Sequence, residues 1–192
     1  DFTGQKSKET GPAGILAQYS HDNNGNVTSV KDALNRVTYF TYNDFNQIVT
    51  TTDALGKVTT NTYDISGNLL TTETPEGNIT KFENNNDGTT ASITSPNDVV
   101  NETGKKTLFG YNSNKYLTTI TQPEGALTTV TNNAIGNPLS VQSPLNKTTE
   151  YVYNANQQVI ETIAPNLESS TVEYDNAGQV VKTIYSLGRQ TT

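Results

Sequence analysis

Apolar residues in this chain recur on a fixed period instead of scattering. Between Tyr42 and Tyr63 the sequence reads YNDFNQIVTTTDALGKVTTNTY and continues DISGNLL, so a Tyr-Asn or Tyr-Asp pair returns after 21 residues. Extending that register places unit starts at 21, 42, 63, 84, 111, 132, 153 and 174, with partial units at both ends, and only the step from 84 to 111 is longer, by six residues. The starting column is filled by His21, Tyr42, Tyr63, Asn84, Tyr111, Asn132, Tyr153 and Tyr174. The next column holds Asp or Asn throughout: Asp1, Asp22, Asn43, Asp64, Asn85, Asn112, Asn133, Asn154 and Asp175. Self-similarity of this kind is the mark of a repeat architecture.

Each unit predicts two turns. The first is Asp or Asn followed three residues later by Gly4, Gly25, Gly67, Gly88, Gly136 or Gly178, with Asn46, Lys115 and Gln157 standing in elsewhere. The short side chain bonds backbone two residues on, and glycine accepts positive φ. The second turn carries Pro12, Pro75, Pro96, Pro123, Pro144 or Pro165, and two residues later Gly14, Gly56, Gly77, Gly125 or Gly188, with Asn35 and Asn146 as substitutes. Segments such as NLLTTET and NITKFE between the turns have strand length and strand composition. The expected class is therefore all-β: tandem 21-residue β-hairpins in a curved antiparallel ribbon, one array spanning 1–192. The six extra residues near 99–106 are expected to lengthen a turn into a longer hairpin loop.

Alternation is broken at Ile48–Val49, Leu69–Leu70, Val159–Ile160 and Val180–Val181. Either both faces are partly covered there, or a bulge shifts the pleat. Tyr19, Phe40, Phe82, Phe109 and Tyr151 precede their unit starts by two residues, which puts both side chains on one strand face. An aromatic spine follows, its rings expected to stack from repeat to repeat. The structural spine residues are Tyr42, Tyr63, Tyr111, Tyr153 and Tyr174. The principal turn residues are Asp22, Asp64, Asp175, Gly25, Gly67, Gly136 and Gly178.

Composition narrows the class. Apolar residues make up 32% of the chain, too few for one large oily core, yet their periodicity argues against disorder. The net charge of −7 and the lack of any basic run beyond Lys105–Lys106 exclude a nucleic-acid stripe. No apolar run is long enough for a helical membrane span. Cysteine is absent, so neither disulfides nor thiolate metal sites form. With no starting Met and no signal-peptide pattern, the chain reads as a piece of something longer.

The units resemble the RHS/YD repeats. The resemblance rests on Y-N-x-x-N-Q-I at 42, Y-D-x-x-G-N-L at 63, Y-N-x-N-Q-Q-V at 153, Y-D-x-x-G-Q-V at 174, T-D-A-L-G-K-V-T at 52–59 and T-Q-P-E-G at 121–125, and it covers essentially the whole chain. It implies hairpins joined side by side into a long ribbon that spirals into a hollow shell. In bacterial polymorphic toxins, Tc-type components and cell-wall-associated toxins such a shell encloses a toxic C-terminal domain; in teneurins it presents an adhesion surface. The family's Asp-Pro autoproteolysis motif is not found in this sequence, so no cleavage residues carry over. Independently, about 18 strands exceed the roughly ten that an open twisted sheet holds without curling, and the end strands are open to pairing with further copies.

Enzyme chemistry finds no foothold. His21 is the one histidine and sits in the spine column. Asp22, Asp32, Asp53, Asp64 and Asp175 occupy turn positions instead of facing each other across a cleft. D-N-N-G-N at 22–26 and N-N-D-G at 85–88 lack the spacing and closing Glu of an EF-hand. No catalytic, cofactor-binding or metal residue is assigned. The expected role is a structural segment of a secreted or cell-wall-associated bacterial shell that encapsulates and helps deliver a C-terminal toxin domain. Its partners would be the rest of that shell and the enclosed toxin. The alternative is an extracellular module that binds carbohydrate or a receptor, for which cell-surface glycan would be the partner.

Overall fold

The computed structural model describes residues 5–12, 14–101, 104–186 and 190–191. Asp1, Gly4 and Gly188 of the sequence columns lie outside them. The chain divides into two compact units, Asp1–Gly104 and Lys105–Thr192.

The first unit contains β1 (Lys8–Gly11), β2 (Gly14–His21), β3 (Val27–Asp32), β4 (Val37–Tyr42), β5 (Ile48–Thr52), β6 (Val58–Tyr63), β7 (Leu69–Glu73), β8 (Ile79–Asn84), β9 (Thr90–Thr94) and α1 (Pro96–Val100). Each strand pairs antiparallel with its neighbour in sequence. The second unit contains β10 (Thr107–Tyr111), β11 (Leu117–Thr121), β12 (Leu127–Asn132), β13 (Pro138–Gln142), β14 (Thr148–Tyr153), β15 (Val159–Ile163), β16 (Ser169–Tyr174), β17 (Val180–Tyr185) and β18 (Gln190–Thr191), paired in the same sequential way. The class is all-β. Thr, Val, Ile and Tyr dominate these strands because branched and aromatic side chains fit a pleated surface.

The broken alternation is a bulge, repeated from hairpin to hairpin. Thr41 pairs with Thr50 while Tyr42 pairs with Ile48, so Val49 is the extra residue. Leu70, Ile160 and Val181 are extra in the same way. One added residue reverses the pleat, so two successive apolar positions both serve the same strand pair.

Among the described residues no hydrophobic side chain is fully buried; the buried ones are Ser92, 1% exposed, and Thr94, 9% exposed. The sheet in each unit is accordingly held by its hydrogen-bond ladders and by half-buried side chains covering one another within the layer.

The connection from β9 to β10, which carries the insertion, contains a helical turn, and residues 102 and 103 of it lie outside the described residues. Residues 96–100 form a helical turn, α1, beside β8. Ser95 caps it, its hydroxyl accepting from Asp98 N at 3.4 Å and donating to Asp98 Oδ2 at 2.6 Å. Pro96 stands at the first helical position, where its missing N–H costs nothing. Ser-Pro-x-Asp is thus a helix start, which the turn-forming reading of the proline column overlooked.

Candidate functional site

The feature that recurs through both units is a clasp between successive hairpins. Pairing of β5 with β6 runs only from Thr50↔Thr60 to Thr52↔Val58. Beyond Thr50 the bulged strand diverges and the Ile48 carbonyl leaves the ladder. The Tyr63 hydroxyl, from the end of β6, donates to that carbonyl at 2.8 Å, and Asn61 Nδ2 donates to it at 3.2 Å. The same bond joins Tyr42 to Val27 O at 2.7 Å, Tyr153 to Pro138 O at 2.8 Å and Tyr174 to Val159 O at 2.9 Å. Where the column holds asparagine, the amide reaches the same place: Asn84 Nδ2 donates to Leu69 O at 2.9 Å and Asn132 Nδ2 to Leu117 O at 2.8 Å. Tyr and Asn substitute for one another in this column because each supplies a donor to a carbonyl outside the ladder.

This differs from the ring-on-ring ladder expected of the spine. Across the strand pairs Tyr19 faces Val30, Phe40 faces Thr51, Phe82 faces Ile93, Phe109 faces Ile120 and Tyr151 faces Thr162. Rings of successive repeats stand two strands apart, about 10 Å, too far to stack. Tyr111 ends β10 opposite Leu117. Burial raises the phenol pKa of Tyr42, with the Asp22 charge adding to it, and burial likewise raises that of Tyr153, beside Tyr151. Both stay protonated donors at neutral pH.

The first turns share one geometry. Asp64 N donates to Asn68 O at 2.9 Å and Gly67 N to Asp64 O at 3.0 Å, with Gly67 at φ +85°. This is a type I turn closed by a left-handed residue, a common short hairpin connection. Asp64 Oδ1 accepts from Ser66 N and Asn68 N, both at 2.8 Å, and Oδ2 accepts from Asn68 Nδ2 at 2.9 Å. Asp22 is held alike by Asn24 N, Asn26 N and Asn26 Nδ2. Hydrogen bonds from the Asn26 and Asn68 side chains, then from turn amides, hold the Asp22 and Asp64 carboxyls below their usual range. Asp175 Oδ1 accepts from Ala177 N and Gln179 N at 2.9 Å. Asp32 and Asp53 play the same part in second turns.

The left-handed positions include every first-turn column member among the described residues: Gly25, Asn46, Gly67, Gly88, Lys115, Gly136, Gln157 and Gly178. Glycine has a second reason here. A Cβ on Gly136 would stand 2.7 Å from the Tyr116 ring, and one on Gly67 would stand 3.3 Å from Gln47 Nε2. The preceding turn's side chain lies across the glycine, and Gln47 Nε2 donates to Gly67 O at 2.6 Å. Similar links run from Asn26 to Asn46, Asn137 to Gln157 and Gln158 to Gly178. Sequence reasoning missed Leu167, which is left-handed at φ +66° in the second-turn column. No composition rule points to a bulky residue there, and only its position in the register could have found it.

No group of three or more His, Cys, Asp or Glu able to hold a metal occurs among the described residues. No helix among them is long and apolar enough to cross a membrane, which leaves strands out of account. His21 pairs with Val27 at the end of β2, in the spine register.

The comparisons bear on this clasped, bulged hairpin. Residues 42–79, which contain the Tyr63–Ile48 clasp, match the family model of the RHS Repeat. This stretch is an RHS repeat. The RHS segment spans β5 to the start of β8, and the units on either side repeat its turns, bulges and clasps. No curated protein matches the sequence. Among solved structures, the crystal structure of TcdB2-TccC3 is similar over 96% of this chain and 14% of that one, at 17% identity and TM-score 0.50. That of TcdB2-TccC3-Cdc42 is similar over the same shares, at 18% identity and TM-score 0.50. The likeness is one of fold, and the chain spans only a small part of the chains it matches.

Proposed function

We propose that this RHS array is a segment of the wall of a shell, one that encapsulates and helps deliver a C-terminal toxin domain in a large secreted bacterial protein. The observation that supports this best is the absence of any fully buried hydrophobic side chain among the described residues. A hairpin chain held by ladders, clasps and turn-to-turn hydrogen bonds can extend without a core, which is what a wall requires. The likeness to TcdB2-TccC3 in fold supports the same reading. The work is mechanical: the wall keeps cargo from folding freely and from meeting its target. The array is one continuous run across 1–192, Tyr42, Tyr63, Tyr111, Tyr153 and Tyr174 serve as its spine, and the Asp and Gly turn residues set its two rims. None of them is catalytic. The protein acts outside the cell or at the cell wall, its partners are the flanking shell and the toxin, and isolated copies associate through open edge strands.

The spine hydroxyls donate to backbone carbonyls, which supports this reading over a sugar-binding stripe on the spine. The deciding experiment is the intact mass and C-terminal sequence of the native polypeptide, followed by limited proteolysis. A chain several times longer, ending in an unrelated domain that proteases reach only after the wall is opened, is the expected result. A chain ending within the repeats would leave nothing to contain and would favour adhesion.

A further inference from the structure

Turn tips usually carry polar residues. In the first unit the tips of two successive first turns instead present Phe45, 70% exposed, and Ile65, 96% exposed. They line one groove of about 440 Å³, with Val49 and Tyr63 beside them and Asp44 and Asp64 also in the lining. Val49 is the extra residue of the bulge, and the groove lies where the pairing of β5 with β6 has stopped, at Thr50↔Thr60.

The charge around the groove has one sign. The first turns of this unit, residues 22–26, 43–47, 64–68 and 85–89, contain Asp22, Asp44, Asp64 and Asp87 and no Lys or Arg. Asp22 and Asp64 are occupied by their own turns. Asp44 has no hydrogen-bond or ion-pair partner among the described residues. The second turns of the same unit also expose leucines, Leu34 and Leu55, but Arg36 and Lys57 stand with them and are paired with Asp32 and Glu76. Exposed apolar surface within a single-signed rim is the composition of a docking site.

We propose that the Phe45–Ile65 groove docks a basic polypeptide segment that places an aliphatic side chain between the two tips and its cations against Asp44 and the acidic rim. The apolar floor selects the aliphatic anchor. The row of aspartates selects Lys or Arg and repels acidic segments and nucleic acid. The inference stands apart from the wall reading, since it needs only the first unit's turns.

The test is fluorescence anisotropy on the whole chain with three labelled peptides: Lys-Leu-Lys-Lys-Leu-Lys, its Glu-for-Lys counterpart and its Gly-for-Leu counterpart. Only the first should bind. Phe45→Ser with Ile65→Ser should weaken it at least tenfold, about 1.4 kcal/mol, Asp44→Asn by a few-fold, and added salt should act in the same direction as Asp44→Asn. Leu55→Ser, an equally exposed tip in the second-turn row, should leave it unchanged. Both tip substitutions lie at exposed positions, and unchanged thermal melts would show that the fold is kept. Equal binding of the three peptides, no binding of the first, or equal loss in Leu55→Ser would overturn the proposal. So would sedimentation showing a dimer that Phe45→Ser with Ile65→Ser dissolves, since the occupant would then be a second copy.

Discussion

The first turns of the two units reach one backbone geometry by different chemistry. In the first unit Asp22 and Asp64 alternate with Asn43 and Asn85; in the second, Asn112, Asn133 and Asn154 precede Asp175. Asp64 Oδ1 accepts from amides two and four residues on at 2.8 Å, and Asn154 Oδ1 does so at 2.9 and 3.0 Å. The turn requires an acceptor oxygen on a short side chain, not a charge. Charge is then free to vary: the first unit's turns at 22–26, 43–47, 64–68 and 85–89 hold four aspartates and no cation, while the second unit's first turns hold Lys115 and Asp175. The turn geometry is common to both units, whereas the charge carried on the turns is not.

The strongest way to break the comparison is at the glycines. Gly136→Val in the second unit forces a branched residue to φ +94° and drives its Cβ into the Tyr116 ring. It should cost about 2–4 kcal/mol. Gly67→Val meets the flexible Gln47 instead and should cost about half as much. Urea unfolding of the two variants, with local amide exchange to place the damage, checks the order; coincident curves would remove the argument from close approach.

Removing one hydroxyl probes the clasp. Tyr174→Phe leaves the part-buried Val159 carbonyl with no other donor described, whereas Tyr63→Phe leaves Asn61 still bonded to Ile48 O. The expected losses are about 1–1.5 kcal/mol and about 0.5 kcal/mol, and equal thermal shifts would sink the idea that Asn61 backs up the clasp.

A smaller gain should follow from Leu167→Gly. Leu167 is 84% exposed, so little burial is lost, and relief of its left-handed backbone should stabilise the second unit by about 0.5–1 kcal/mol. An unchanged or lower melting temperature would show that the leucine contributes contacts its exposure hides.

The smallest effect is titration. The Asp22 and Asp64 carboxyls have folded pKa values below their unfolded ones, near 3.9. Their contribution is present above the unfolded value and is lost as pH falls through the folded value. The amide signals of Asn24, Asn26, Ser66 and Asn68 should therefore shift together at a midpoint below about 3.9, while those of Asn156 and Gln158, held by the Asn154 amide, should not. Matching midpoints in both sets would mean that the shifts report global unfolding.

The sequence by itself determined the period, the two turns per unit and the residues that make them, because turn chemistry is local: a short acceptor and a residue tolerant of positive φ lie within a few positions of each other. It also carried the acidic bias of one rim, although nothing in it separated that rim from the rest. The fold decided what depended on strand pairing. Whether Val49 marked a covered face or a bulge was settled by the register of Tyr42 on Ile48. The purpose of the tyrosine column was settled by a carbonyl 15 residues upstream, as with Tyr63 and Ile48, which no local rule could point to. Asn84 and Asn132, which share the starting column with the tyrosines, are alternative donors to the same kind of carbonyl. Side-chain identity fixes what bends the chain, but which polar groups a bend leaves without partners is known only once neighbouring strands have taken their register.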